Sequence, residues 1–124
     1  MAVPILKLGD TLIITIQASL TDAELAQLRT DLAERIGKQR VKGLVLDVSA
    51  LDVLDSYASR TLVGIVKVSS LRGAQAVIVG IQPDVAFTMV QLGLTLEGVE
   101  TALDFEEGAE LLARKITKDP ERVG

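Results

Sequence analysis

Histidine, cysteine and tryptophan are all absent from this 124-residue chain, and the aromatics amount to two phenylalanines and one tyrosine. Without cysteine there is no disulfide framework, zinc-thiolate site or thiol chemistry, and nothing calls for an oxidising compartment. Without histidine, Ser-His hydrolysis and histidine phosphotransfer are excluded, and the commonest transition-metal ligand is missing. Basic residues are outnumbered 13 to 17 by acidic ones, and the net charge of −4 has the wrong sign for a broad grip on nucleic acid. No run approaches the roughly 20 apolar residues of a membrane span, and the amino terminus lacks a basic patch followed by an apolar core. A cytoplasmic protein with no membrane and no nucleic-acid partner is therefore expected. The 48% of hydrophobic residues are enough for one core, so residues 1–124 are expected to form a single domain, with 118–124 as a polar, flexible tail.

What is present alternates regularly. Pro4 to Leu8 and Leu12 to Ile16 are β-branched-rich runs separated by Gly9-Asp10, which predicts a tight hairpin. Thr21 precedes Glu24 by three residues, a capping box, and Leu25, Leu28, Leu32 and Ile36 follow at helical spacing up to a stop near Gly37. Leu44-Val45-Leu46 with Val48 has no alternation and reads as a central strand buried on both faces. A helix from about Ser56 to Leu71 follows, with Leu62, Val66 and Ser69 inward and Gly73 beyond its end. Ala76 to Val79 is a second buried strand, and Pro83 suits the first position of a helix carrying Val85, Met89, Val90 and Leu92. Gly98 to Thr101 can supply an edge strand, and Asp104 with Glu107 opens a last helix with Phe105, Ala109, Leu112 and Ile116 inward. The order is that of an α/β fold: a mixed, mostly parallel sheet with a hairpin start, covered by about four helices.

In such sheets the loops at the carboxyl ends of the parallel strands meet ligands and partners. The loop from Asp47 to Asp55 lies there, as does the turn from Gly80 to Pro83. Asp47, Asp52 and Asp55 could in principle hold a hard cation, but they lack the EF-hand spacing and its terminal glutamate, and capping and solvation explain them more simply. Asp47 at a strand end also invites comparison with phospho-accepting receivers, yet the acidic pair those need after the first strand is missing. Ser56 remains. It can serve as an N-cap, or its hydroxyl can be displayed to a kinase, where a phosphate would sit near a helix amino terminus with Arg60 one turn along. Ser59 is a competing acceptor. Lys42 and Lys67 read as solvated surface, which leaves no evident catalytic pocket, and no glycine-rich phosphate cradle follows a strand for a nucleotide.

The strand ending Val45-Leu46-Asp47-Val48-Ser49, the Val53-Leu54-Asp55-Ser56 helix opening and Gly73-Ala74 before the next strand resemble the STAS domains of anti-sigma-factor antagonists. The resemblance runs essentially the full length. It narrows at Pro4 to Leu8, Ile81 to Ala86, Leu92-Gly93-Leu94 and Val99 to Leu103, which look like the RsbS-type antagonists of the stressosome. In the simpler antagonists a small residue and glycine follow the serine; here Tyr57 and Ala58 do, which favours the stressosome branch.

The resemblance implies a non-enzymatic scaffold and phospho-switch without cofactor or metal. Proteins of this type co-assemble with sensor-bearing STAS paralogues into a large hetero-oligomeric particle that sequesters a serine/threonine switch kinase. Phosphorylation releases the kinase, activating the general stress response, and a dedicated phosphatase resets the serine. Carried onto this chain, the acceptor is Ser56, with Asp55 orienting the loop and Tyr57, Ser59 and Arg60 on the kinase-docking face. The alternative is a simple anti-sigma-factor antagonist that binds an anti-sigma kinase directly to free a sigma factor.

Overall fold

A computed structural model of the chain describes residues 3–94, 96 and 98–118; of the expected 118–124 tail, Lys118 is instead the last residue of the final helix and the rest lies outside the described residues. The hairpin forms as its sequence requires: strands β1 (Ile5–Leu8) and β2 (Thr11–Thr15) pair antiparallel with Leu8 opposite Thr11. Gly9 closes the turn at φ +63, a conformation that costs a residue with a Cβ. Helix α1 (Asp22–Gln39) begins with both halves of the capping box, Glu24 N–H donating to Thr21 Oγ1 at 3.1 Å and Thr21 N–H to Glu24 Oε1 at 3.0 Å.

The expected stop near Gly37 is wrong by two residues, because α1 continues to Gln39 and ends at Arg40, which adopts the left-handed conformation at φ 51 and ψ 47. Gly37 lies inside the helix rather than at its end. A Cβ there would run into the Arg72 guanidinium, which lies across α1 from the end of the next helix.

Strand β3 (Gly43–Asp47) is central, parallel to β2 on one side and to β4 (Gln75–Val79) on the other, with β5 (Glu100–Ala102) completing the order β1-β2-β3-β4-β5. Between the parallel strands run α1, α2 (Ser56–Leu71) and α3 (Pro83–Gln91), and α4 (Phe105–Lys118) follows β5. Leu12, Ile14, Leu44, Leu46 and Ile78 face one side and pack with Leu28, Leu32, Leu62, Ile65, Val85 and Met89 of the first three helices. Val45, Val77 and Val79 face the other side and meet Leu112 of α4. This two-sided burial explains the unbroken apolar run of β3, since each pleat has a helical layer to enter.

Gly108 lets α4 settle closely on the sheet, as a Cβ there would lie 2.6 Å from Val79 Cγ1. Phe105, expected to point inward, is only partly covered at 41% exposure, and Val90 on α3 and Leu92 just after it are 78% and 65% exposed. The α4 layer packs chiefly on β3, β4 and β5. Phe105 opens the helix on the wall of a groove that Ile13 and Val45 also line.

Candidate functional site

The carboxyl ends of β2, β3 and β4 gather three loops at one edge of the sheet, and the segment from Val48 to Asp55 occupies its middle. Local chemistry shapes the segment. Asp47 Oδ1 accepts from Ser49 N–H at 2.9 Å, and Leu51 N–H donates to Val48 O at 3.0 Å, so the chain turns as soon as it leaves the strand. Leu51 and Leu54 are buried and anchor the loop from beneath, while Val53 between them is 74% exposed.

Asp55, not Ser56, is the N-cap of α2. Its backbone is extended (φ −76, ψ 178), and its Oδ1 accepts from Ala58 N–H at 2.8 Å. The cap role considered for Ser56 therefore belongs to its neighbour. Ser56 is the first helical residue, exposed, and its hydroxyl has no hydrogen-bond partner among the described residues. A carboxylate is a stronger acceptor than a hydroxyl for an orphan helical amide and also matches the positive end of the helix dipole. Ser56 is left with a hydroxyl uncommitted to the fold.

Ser59 is placed quite differently. It is 3% exposed, and its Oγ is buried with no partner. One helical turn rotates it from the loop edge into the stripe shared with Leu62, Val66 and Ser69, at the base of a groove that Arg60, Val63, Lys67 and Leu94 also line. Tyr57 is half-exposed, with a long 3.5 Å contact from its hydroxyl to Asp22 O at the start of α1, and Arg60 is exposed. The accessible surface at the start of α2 is thus Val53, Ser56, Tyr57 and Arg60. Beside it a cleft of about 220 Å³ runs between the β2–α1 loop and the serine loop, lined by Gln17, Leu20, Leu51, Val53, Asp55 and Ala58.

Gln82 is a residue the spacing of motifs did not reveal. From the β4–α3 turn its Nε2 donates to Ser49 O at 2.8 Å and to Asp52 Oδ1 at 3.3 Å, tying two adjacent loops across 30 or more residues of sequence. Gly80 makes that approach possible: it sits at φ +81, and a Cβ on it would lie 2.9 Å from Ser49 Cβ. Asp47, Asp52 and Asp55 each hold a structural hydrogen bond, and no three Asp or Glu side chains converge on a metal-sized site among the described residues. Lys42 and Lys67 are exposed, as expected of solvated surface.

Comparison with known proteins gives this geometry a context. The family model described as the STAS domain matches residues 2–107. RsbS from Moorella thermoacetica, solved as a serine-to-glutamate variant, superposes with a TM-score of 0.80 at 36% identity, covering 94% of this chain and 99% of that one. A chain from the molecular architecture of the stressosome, described as a signal integration and transduction hub, matches with a TM-score of 0.77 at 37% identity, covering 94% and 100%. Among curated relatives, the RsbT co-antagonist protein RsbRA of Bacillus subtilis is 24% identical over 121 residues, which span 94% of this chain and 44% of that protein. The chain thus spans less than half the length of that co-antagonist. No helix among the described residues is long and apolar enough to cross a membrane.

Proposed function

Because this chain belongs to the STAS domain family, we propose that it is a stand-alone stressosome antagonist, a non-enzymatic cytoplasmic scaffold that holds a serine/threonine switch kinase and releases it when Ser56 is phosphorylated. The observation that carries this reading is the end-to-end match to RsbS, 36% identical over 94% of this chain and 99% of the other. Similarity to the co-antagonists RsbRA and RsbRC supports co-assembly with STAS paralogues that carry additional domains, since the chain spans only 44% and 22% of those proteins.

The local geometry supports Ser56 as the acceptor. Its Oγ attacks the γ-phosphorus of the kinase-bound ATP, ADP leaves, and the hydroxyl proton passes to the kinase's base; a phosphatase reverses the state by hydrolysis to serine and inorganic phosphate. None of this disturbs the α2 cap, because Asp55 and not Ser56 satisfies the Ala58 amide. A phosphate adds nearly two negative charges beside the Asp55 carboxylate. In a packed kinase interface that dianion must be paired or desolvated unpaired, and a loss of about 2.8 kcal/mol weakens binding a hundredfold. Release requires no change of fold.

Incubation with the cognate kinase and ATP, followed by mass spectrometry, tests the assignment. Ser56→Ala takes up no phosphate and retains the kinase, Ser59→Ala is phosphorylated like the wild type, and Ser56→Asp binds the kinase more weakly. Phosphate on Ser49 or Ser59, or undiminished binding by Ser56→Asp, refutes the proposal. A simple anti-sigma antagonist would form no large particle when mixed with a sensor-bearing paralogue, which size-exclusion chromatography detects.

A further inference from the structure

The motif from Ile81 to Ala86 takes no part in the phosphoryl transfer proposed for Ser56, yet it is built tightly against the loop that leads there. Gln82 occupies the N-cap position of α3, where a short polar side chain normally bonds back to the first turn, and its side chain makes no such bond. Its main chain is committed to the helix, since Gln82 O accepts from Ala86 N–H at 2.9 Å and Pro83 fixes the first helical φ. The amide is used elsewhere: Nε2 donates to Ser49 O at 2.8 Å and to Asp52 Oδ1 at 3.3 Å. A helix start thus serves as the rigid base of a clamp on a neighbouring loop.

The clamped segment has no regular secondary structure, and it is nonetheless held along most of its length. Val48 N–H donates to Val79 O at 3.0 Å, Ser49 N–H to Asp47 Oδ1 at 2.9 Å and Leu51 N–H to Val48 O at 3.0 Å. Leu51 and Leu54 are buried, and Asp55 is committed to the α2 cap. Between the clamped Asp52 and the buried Leu54, Val53 is turned outward, 74% exposed, three residues ahead of Ser56. Its branched Cβ restricts χ1, so the side chain adds little freedom of its own. An apolar group held this firmly in solvent, beside a cleft of about 220 Å³ that it also lines, is ordered before a partner arrives.

Resting on the reading of Ser56 as the acceptor, we propose that Val53 is a specificity contact read by the switch kinase and that Gln82 is the positioning residue that holds Val53 at a fixed offset from the acceptor. Ser56 itself belongs to α2 and is placed by the Asp55 cap, so loss of the clamp leaves its hydroxyl where it was. The clamp therefore acts on recognition and not on the chemical step. Without it the segment around Val53 must be ordered when the kinase arrives, and that cost is subtracted from affinity. Glutamate at position 82 cannot replace the glutamine, because it offers no donor to Ser49 O and sets a second carboxylate beside Asp52.

Steady-state phosphorylation of the full chain by the cognate kinase tests this, with mass spectrometry locating the phosphate and circular dichroism checking that each variant keeps its fold. Gln82→Ala and Gln82→Glu are each expected to raise KM about tenfold and to leave kcat within about twofold of the wild type. Val53→Asp is expected to raise KM by about tenfold or more. Adding Gln82→Ala to Val53→Asp raises it no more than about twofold further, because both act through one contact. A KM unchanged in Gln82→Ala, a loss confined to kcat, or fully additive effects of the two substitutions overturns the inference. Titration calorimetry of the kinase against Ser56→Ala, with and without Gln82→Ala, reads binding apart from phosphorylation and is expected to show about tenfold weaker binding without the clamp. If the phosphate lies on another serine while that tenfold loss persists, the acceptor assignment fails and the recognition contact stands. Unchanged binding overturns the contact whichever serine is phosphorylated.

Discussion

Removing the Asp55 carboxylate tests directly which residue holds the start of α2. In Asp55→Ala the Ala58 amide loses its acceptor at 2.8 Å and the helix loses a negative charge at its positive end. An N-cap aspartate replaced by alanine costs about 1 kcal/mol, and the charge at the first turn contributes roughly 0.3–1 kcal/mol more, so about 1–2 kcal/mol is expected. Asp55→Asn keeps an acceptor and loses only the charge, which limits its effect to about 0.3–1 kcal/mol. Ser56→Ala removes a hydroxyl that bonds to nothing in the described fold and substitutes a better helix former, so it is neutral or stabilising by up to about 0.5 kcal/mol. Urea denaturation followed by far-ultraviolet circular dichroism gives all three values from shifts in midpoint at constant slope. The order Asp55→Ala, then Asp55→Asn, then Ser56→Ala from most to least destabilising is the expected result. If Ser56→Ala cost 1 kcal/mol and Asp55→Ala nothing, the cap would belong to Ser56 and its hydroxyl would not be free for modification.

Gln82→Ala breaks both bonds that tie the β4–α3 turn to the serine loop and should cost about 1–2 kcal/mol. Hydrogen exchange should accelerate over residues 49–54; unchanged protection there would show that Gln82 does not hold the loop. Ser59→Ala deletes a buried hydroxyl without a partner and should raise stability by about 1 kcal/mol in the same urea titration, whereas a loss would mean that the hydroxyl is satisfied in solution. The Glu24 carboxyl is held below the ordinary carboxylate range, chiefly by the Thr21 backbone N–H. A depressed native pKa gives stabilisation that is complete above the unfolded value and lost as pH falls through the native one. Glu24→Gln should therefore show a smaller loss of thermal stability on acidification than the wild type, and identical acid profiles would contradict the capping box.

The hairpin, the capping box, the doubly buried β3 and the extent of α2 could all be read from the chain because their causes lie within a few residues of one another. Gly9-Asp10 turns on its own φ preference, and Thr21 and Glu24 complete each other within one turn. The errors have non-local causes. Gly37 looks like a helix stop, but α1 runs on to Gln39, and the guanidinium of Arg72, 35 positions later, lies across the glycine. Phe105 has inward spacing and does face the sheet, but it stays 41% exposed because it lines an open groove with Ile13 and Val45 that nothing else fills. At the candidate site, Ser56 could be singled out by its place between a strand loop and a helix. Gln82 could not, because its partners Ser49 and Asp52 lie 33 and 30 positions away.

By itself the amino-acid sequence determined the alternation of strands and helices, the absence of imidazole and thiol chemistry, and a serine at the opening of the second helix. Hydrophobic period, turn propensity and side-chain inventory are local properties, and they survive without any knowledge of the fold. Tertiary structure decided which of two serines is available. Asp55 takes the cap and leaves the Ser56 hydroxyl in solvent, while the helical rotation of three residues buries Ser59. It also decided that β1 remains an uncovered apolar edge, because α4 crosses the other end of the sheet. Exposure depends on what the rest of the chain places over a residue, and only packing settles that.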